Sequence, residues 1–327
     1  MKKIKNFLLV LLLIPCMLLV GCSQDISSQE YEVLMGDAAT NYYQNYYGKN
    51  MTIVVDGEYS VSGTDAVHYG YDGAYTLAEY SSAGKGQQII EVFASEIKGM
   101  PNIRVTSFSD VMEDGFEENE YEDGIVSYTS SYTQEQVVTF ICKLVNGKKE
   151  VTAYSYAETC EIKNNGEEVR EIKKSSYTYP TEEAGIDAIE ELLADIDNSI
   201  INLIFYNPGA IAESVGSKVD YFKTNNGAGW EVELQASGVV GYNQSIADES
   251  IAIKTELSNN LPYQINLQTK SSEISSISPD DYAKIDYERE IEVSIDFNCD
   301  PISKPQGFNN VANEEPYVYI EYVGVNF

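Results

Sequence analysis

The sequence predicts an α+β domain built on one large antiparallel sheet with helices packed on one side. Apolar and aromatic residues alternate at period two from Met51 to about Tyr179, and again from about residue 219 to 325, with Gly, Asn and Asp between the runs. Two segments, 29–47 and 181–215, replace that rhythm with the three-to-four-residue spacing of a helix. The order helix, strands, helices, strands suits a single α+β body over residues 29–327.

Ahead of this body, Lys2, Lys3 and Lys5 precede an apolar run from Phe7 to Val20 and then Leu19-Val20-Gly21-Cys22. The run is shorter than the roughly 20 residues a membrane-spanning helix needs. The segment resembles the signal of bacterial lipoproteins, the lipobox, in which a peptidase cuts before the cysteine and the thiol takes a diacylglyceryl group. The resemblance implies a signal peptide over 1–21 and a chain beginning at Cys22, carrying acyl chains such as palmitate. It also implies a protein held by a lipid anchor in the cell membrane, facing its extracytoplasmic side. Residues 22–28 read as a polar tether.

Ser27-Ser28-Gln29-Glu30 has capping-box spacing, so a helix is expected from residue 29. Tyr31, Leu34, Met35, Ala38, Tyr42 and Tyr46 form its apolar and aromatic stripe, and Gly48 supplies a stop. Strands are expected near 51–62, 66–80, 87–97, 102–107, 125–133, 136–146, 150–163 and 168–179. Asp56-Gly57, Asp72-Gly73, Asn146-Gly147 and Asn165-Gly166 tolerate positive φ and mark turns or bulges. Pro180-Thr181 opens the second helix, with Glu182 and Glu183 favourably placed in its first turn. Ile186, Ile189, Leu193, Ile196, Ile200 and Ile204 keep the helical period until Asn207-Pro208-Gly209, and a shorter helix is expected over 210–215. Strands resume near 219–224, 229–239, 249–257, 262–270, 288–298 and 316–325, with 272–284 read as an irregular polar loop.

The chain carries a formal charge of −31; without residues 1–21, 18 basic residues face 52 acidic ones. Neither nucleic acid nor an anionic lipid surface is therefore expected as a partner, since phosphate contacts need clustered Lys and Arg. Cys142, Cys160 and Cys299 are left once Cys16 is removed with the signal and Cys22 is acylated. Cys142 and Cys299 fall in alternating apolar series and read as small core residues. A hairpin about Asn146-Gly147 would set Cys142 and Cys160 out of register for a disulfide.

Residue types argue against an enzyme. His68 is the only histidine, and no nucleophile elbow, zinc motif or phosphate loop is present. No cofactor is expected. Seven of the eleven residues from Glu113 to Asp123 are acidic; within that run Glu117, Glu118, Glu120 and Asp123 are weak candidate calcium ligands, set against the reading as a solvated loop. Tyrosines, 26 in all, fall in same-face pairs such as Tyr154 with Tyr156 and Tyr177 with Tyr179, positions that suit a sheet surface, a pocket rim or an interface.

Three features resemble the lipoprotein-carrier superfamily of LolA-like and LppX-like proteins. They are the helix after the tether, the helical interruption at 181–215, and two C-terminal phrases. The first phrase is Ile251-Ala252-Ile253-Lys254-Thr255-Glu256-Leu257 followed by Asn259-Asn260-Leu261-Pro262-Tyr263-Gln264-Ile265. The second runs from Ile291 to Phe297 and on through Asp300-Pro301-Ile302-Ser303-Lys304-Pro305. The resemblance implies a strongly curved sheet, an incomplete barrel, whose apolar concave face is lidded by helices and takes a hydrophobic or lipid-like ligand. Tyr42, Tyr46, Leu193, Ile196 and Ile200 would line that space. The chain departs from the pattern in its acidity, its tyrosine content and an additional strand from Tyr317. Its function is thus expected to be non-enzymatic binding of a hydrophobic guest. The alternative is a surface interaction or structural lipoprotein with a filled core that meets a protein or glycan.

Overall fold

The computed structural model describes residues 23–46, 50–69, 74–119, 124–204, 218–225, 227, 229–242, 245–278, 281–308 and 311–316. In chain order the elements are β1 (Gln24–Asp25), α1 (Ser28–Tyr46), β2 (Met51–Tyr69), β3 (Ala74–Phe93), β4 (Asn102–Asn119), β5 (Gly124–Val145), β6 (Lys148–Ile162) and β7 (Glu168–Thr178). There follow α2 (Glu182–Ile204), β8 (Lys218–Asn225), β9 (Gly229–Tyr242), β10 (Ser245–Ser258), β11 (Leu261–Ser278) and β12 (Asp281–Asp296).

The expected α+β class does not hold. All twelve strands join one sheet in the order β1-β8-β9-β10-β11-β12-β2-β3-β4-β5-β6-β7, each neighbouring pair antiparallel, and two helices are the only α-structure among the described residues. The protein is a predominantly β structure. Strand length made the difference: β2, β3, β4 and β5 run 19, 20, 18 and 22 residues, against a usual five or six. Asp56-Gly57 lies inside β2 rather than in a turn, and the expected strand at 66–80 is split between β2 and β3. Most of 272–284, expected as a loop, belongs to β11 and β12. The acidic run is likewise strand through residue 119. The expected helix at 210–215 and strand at 316–325 lie outside the described residues, apart from Pro316.

Two meanders, β2–β7 and β8–β12, are joined where β12 pairs with β2, with Val293 opposite Val55 and Ile295 opposite Ile53. From Ile53 the same row runs across the sheet through Ile90, Val105 and Val138. These side chains are almost wholly buried and form one face of the core. Tyr31, Met35, Ala38 and Tyr42 of α1 and Ile189, Leu192 and Ile196 of α2 complete it. Burying each of the larger aliphatic side chains contributes about 1.5–3 kcal/mol.

Both helices start on side-chain caps. Ser27 Oγ accepts the Glu30 N–H at 3.1 Å, while the Glu30 carboxylate pairs with Lys223 at 3.0 Å. At α2, Thr181 Oγ1 accepts the Ala184 N–H at 3.1 Å. Gly185 lets α2 approach β6, because a Cβ there would lie 2.8 Å from Val151.

Beyond the helices the strands continue with polar residues on both faces. Tyrosine rings lie across glycines on neighbouring strands here, Tyr59 over Gly84, Tyr80 over Gly63 and Tyr128 over Gly115. The segment after β12 passes over the face opposite the helices. Asn102 Nδ2 donates to Ile302 O at 3.4 Å, Phe308 meets Tyr154 edge-on at 5.6 Å, and Ser176 N–H donates to Ala312 O at 3.0 Å.

Candidate functional site

The helix-covered side of the sheet is filled where it is described. Tyr42 and Ile196 have no exposed surface, and Leu193 is half-buried against the same core. Tyr46 and Ile200 lie on α1 and α2, but their side chains are outside the described residues, as is Cys22. Glu117 and Glu118 sit on β4 with side chains outside the described set, and Glu120 and Asp123 fall outside it altogether. Among the described residues no three acidic, histidine or cysteine side chains converge as a metal site.

Among the described residues, open hollows lie on the other face. One of about 720 Å³ spans five strands, with Ser237 of β9, Ser250 of β10, Lys270 and Ser272 of β11, Glu288 of β12 and Ser60 of β2 on its wall. Two more, of about 580 and 510 Å³, continue over β12, β2, β3 and β4 past Glu58, Lys85, Asp110 and Glu290. A fourth of about 600 Å³ reaches Thr129 of β5. Side by side, these shallow open hollows make a trough across this face of the sheet.

Strand alternation builds its floor. On β12, Asp286, Glu288, Glu290 and Glu292 occupy every second position, while Tyr287, Arg289, Ile291 and Val293 point to the helix side. Asp56 and Glu58 on β2 face the same way as the β12 acids opposite them, Glu292 and Glu290. Like charges in that relation repel, and amides and cations offset the repulsion. Gln87 Nε2 donates to Asp56 at 2.7 Å, Gln264 to Glu292 at 2.6 Å and Gln268 to Glu290 at 3.2 Å. Lys270 pairs with Glu288, and Lys85 lies 3.8 Å from Asp110. The Asp286 carboxyl is held below the usual aspartate range by the hydrogen bond from Lys284, 2.5 Å away, and by that from Ser272 at 2.6 Å. Carboxylates and hydroxyls line much of the trough, with Val239, Phe108 and Met112 as exposed apolar side chains in it.

The sequence reading placed its candidate site under the helices and named none on this face. The signal of the trough was nevertheless present in the acids at 286, 288, 290 and 292, interleaved with a second alternating series.

Of the expected cysteine arrangement, Cys142 pairs in register with Val151 and Cys160 with Thr133, and both are free thiols, as is Cys299. Burial pushes the Cys142 thiol up to about 12.

Compared with known proteins, the chain matches no family profile and no curated protein. Among solved structures it is similar to the transport unit of the autotransporter AIDA-I from Escherichia coli, at 7% identity over 80% of this chain and 98% of that one, with a TM-score of 0.18. OccK7 (OpdD) from Pseudomonas aeruginosa gives 6% identity over 76% and 99%, with a TM-score of 0.22. The translocator domain of NalP from Neisseria meningitidis gives 7% over 82% and 96%, with a TM-score of 0.16. Scores this low carry no weight for fold or function.

Proposed function

We propose that this chain is a lipid-anchored extracytoplasmic protein, attached through acyl chains on Cys22, that acts without catalysis as a surface interaction module. The observation that carries this reading is the division between its two faces. The helix side is packed with fully buried side chains such as Tyr42, Met35 and Ile196, which favours a filled core over a cavity for an acyl chain. The opposite side is an open trough of hydroxyls and carboxylates. A surface of that chemistry suits a partner that is neutral or cationic and rich in hydrogen-bond donors, on a protein or a glycan.

Fractionation and intact mass test the anchor. The wild-type chain is expected in the membrane fraction, with a mass equal to residues 22–327 plus acyl groups, and Cys22→Ala is expected to leave the membrane fraction. An unacylated wild-type chain would refute the reading. For the trough, Glu290→Lys with Glu292→Lys is expected to abolish capture of the partner from the cell surface while leaving the melting temperature near that of wild type. Undiminished capture would place the interaction elsewhere.

A further inference from the structure

The segment expected as a polar tether is not a free linker. Gln24 and Asp25 pair with Lys223 and Phe222 of β8 as an edge strand, and Ile26 N–H donates to Tyr221 O at 3.0 Å. The chain stays seated on β8 as it enters α1. Glu30 pairs with Lys223 at 3.0 Å, and the rings of Tyr31 and Tyr221 lie 5.1 Å apart. Ser23 alone separates Cys22 from the first paired residue. Two residues of extended chain reach at most about 7 Å, so an acyl group on Cys22 brings this corner of the sheet to the membrane surface.

The corner carries side chains suited to that position. Lys223 Nζ lies 4.2 Å from the centre of the Trp230 ring, and Trp230 stands opposite Asn225 at the neighbouring end of β9. Lys223 is held between this ring and the Glu30 carboxylate, and Trp230, partly exposed, is of the residue type that settles at the bilayer interface, where an amphipathic ring meets polar headgroups.

We infer that the corner formed by Gln24, Lys223 and Trp230 is the membrane-facing end of the molecule and rests against the lipid headgroups. The inference depends on the anchor at Cys22 proposed above. In the strand order of the sheet, β7 lies at the end opposite this corner. The trough, walled by β9 to β5, is presented to the outside instead of being pressed against lipid.

Trp230 is the only tryptophan of the chain, so its fluorescence reports on this corner alone. The acylated full-length protein is reconstituted in phosphatidylcholine vesicles carrying headgroup spin-labelled lipid, and co-flotation and intact mass are measured on the same sample. The larger part of the Trp230 emission is expected to be quenched. A Trp230→Phe, Ile172→Trp variant, with its reporter on β7, is expected to keep its emission. Unquenched Trp230 in acylated protein that floats with the vesicles overturns the inference and leaves the anchor standing. Equal quenching of both reporters also overturns it. A chain that neither floats nor carries acyl mass removes the anchor, and the inference with it.

Discussion

The ring of Tyr59 on β2 lies across Gly84 on β3, so closely that a Cβ on Gly84 would stand 2.4 Å from it. The same relation recurs between Tyr80 and Gly63 and between Tyr128 and Gly115. Each ring covers a backbone that has no side chain of its own, in the part of the sheet that the helices do not reach. Gly84→Ala is expected to displace the ring and cost about 1 kcal/mol, the scale of a cross-strand pair. In a Tyr59→Ala background the same change should cost little, and urea unfolding of the four proteins in the cycle measures the coupling. Additive costs would show that the ring and the glycine act independently.

Ile196 has no exposed surface, whereas Ile172 on β7 is 53% exposed. Ile196→Ala should lower unfolding free energy by about 2–5 kcal/mol, from lost burial and the cavity left behind. Ile172→Ala should stay within about 0.5 kcal/mol of wild type. Chemical denaturation distinguishes the two, and similar losses would contradict the placement of the core.

Thiol labelling follows the same burial pattern. Cys142 is buried, its Sγ donates to Pro101 O at 3.2 Å, and its thiol is pushed up to about 12; Cys299 is also buried. Cys160 is half-buried on β6, with its thiol raised by burial and by Glu168. In the folded mature chain carrying Cys22→Ser, one slow-reacting thiol is expected at mildly alkaline pH and three after denaturation. Rapid reaction of Cys142 in the folded protein would refute the closed packing there.

The folded-state pKa of Asp286 is depressed, first by Lys284 and then by Ser272. Its contribution to stability is therefore complete above the unfolded aspartate value of about 3.9. It is lost as pH falls through the lower folded value. Asp286→Asn should melt below wild type near neutral pH, with the gap closing in acid. A gap independent of pH would rule out this linkage.

Much of the near half of the sheet was legible because one face is apolar. Residues such as Ile291, Val293 and Ile295, or Val138, Phe140 and Cys142, alternate cleanly and are buried, and the helical stripes of α1 and α2 were read from Tyr31 to Tyr42 and from Ile186 to Ile204. The far half gave no such contrast. In Ser81-Ser82-Ala83-Gly84-Lys85-Gly86 neither face is apolar, so small residues that punctuate turns elsewhere concealed a continuing strand. What holds that segment is the neighbouring strand, through rings over glycine and paired side chains, and such long-range support has no local pattern. The trough was missed for the same reason: its carboxylates become one surface only when β12 and β2 are aligned.

The proposed division of labour between a filled helix side and a receptive outer face is tested most directly by native mass spectrometry. The mature chain carrying Cys22→Ser, incubated with membrane lipid extract, should yield only its own mass. A retained lipid adduct in defined stoichiometry would contradict the filled core and restore a hydrophobic guest beneath the helices.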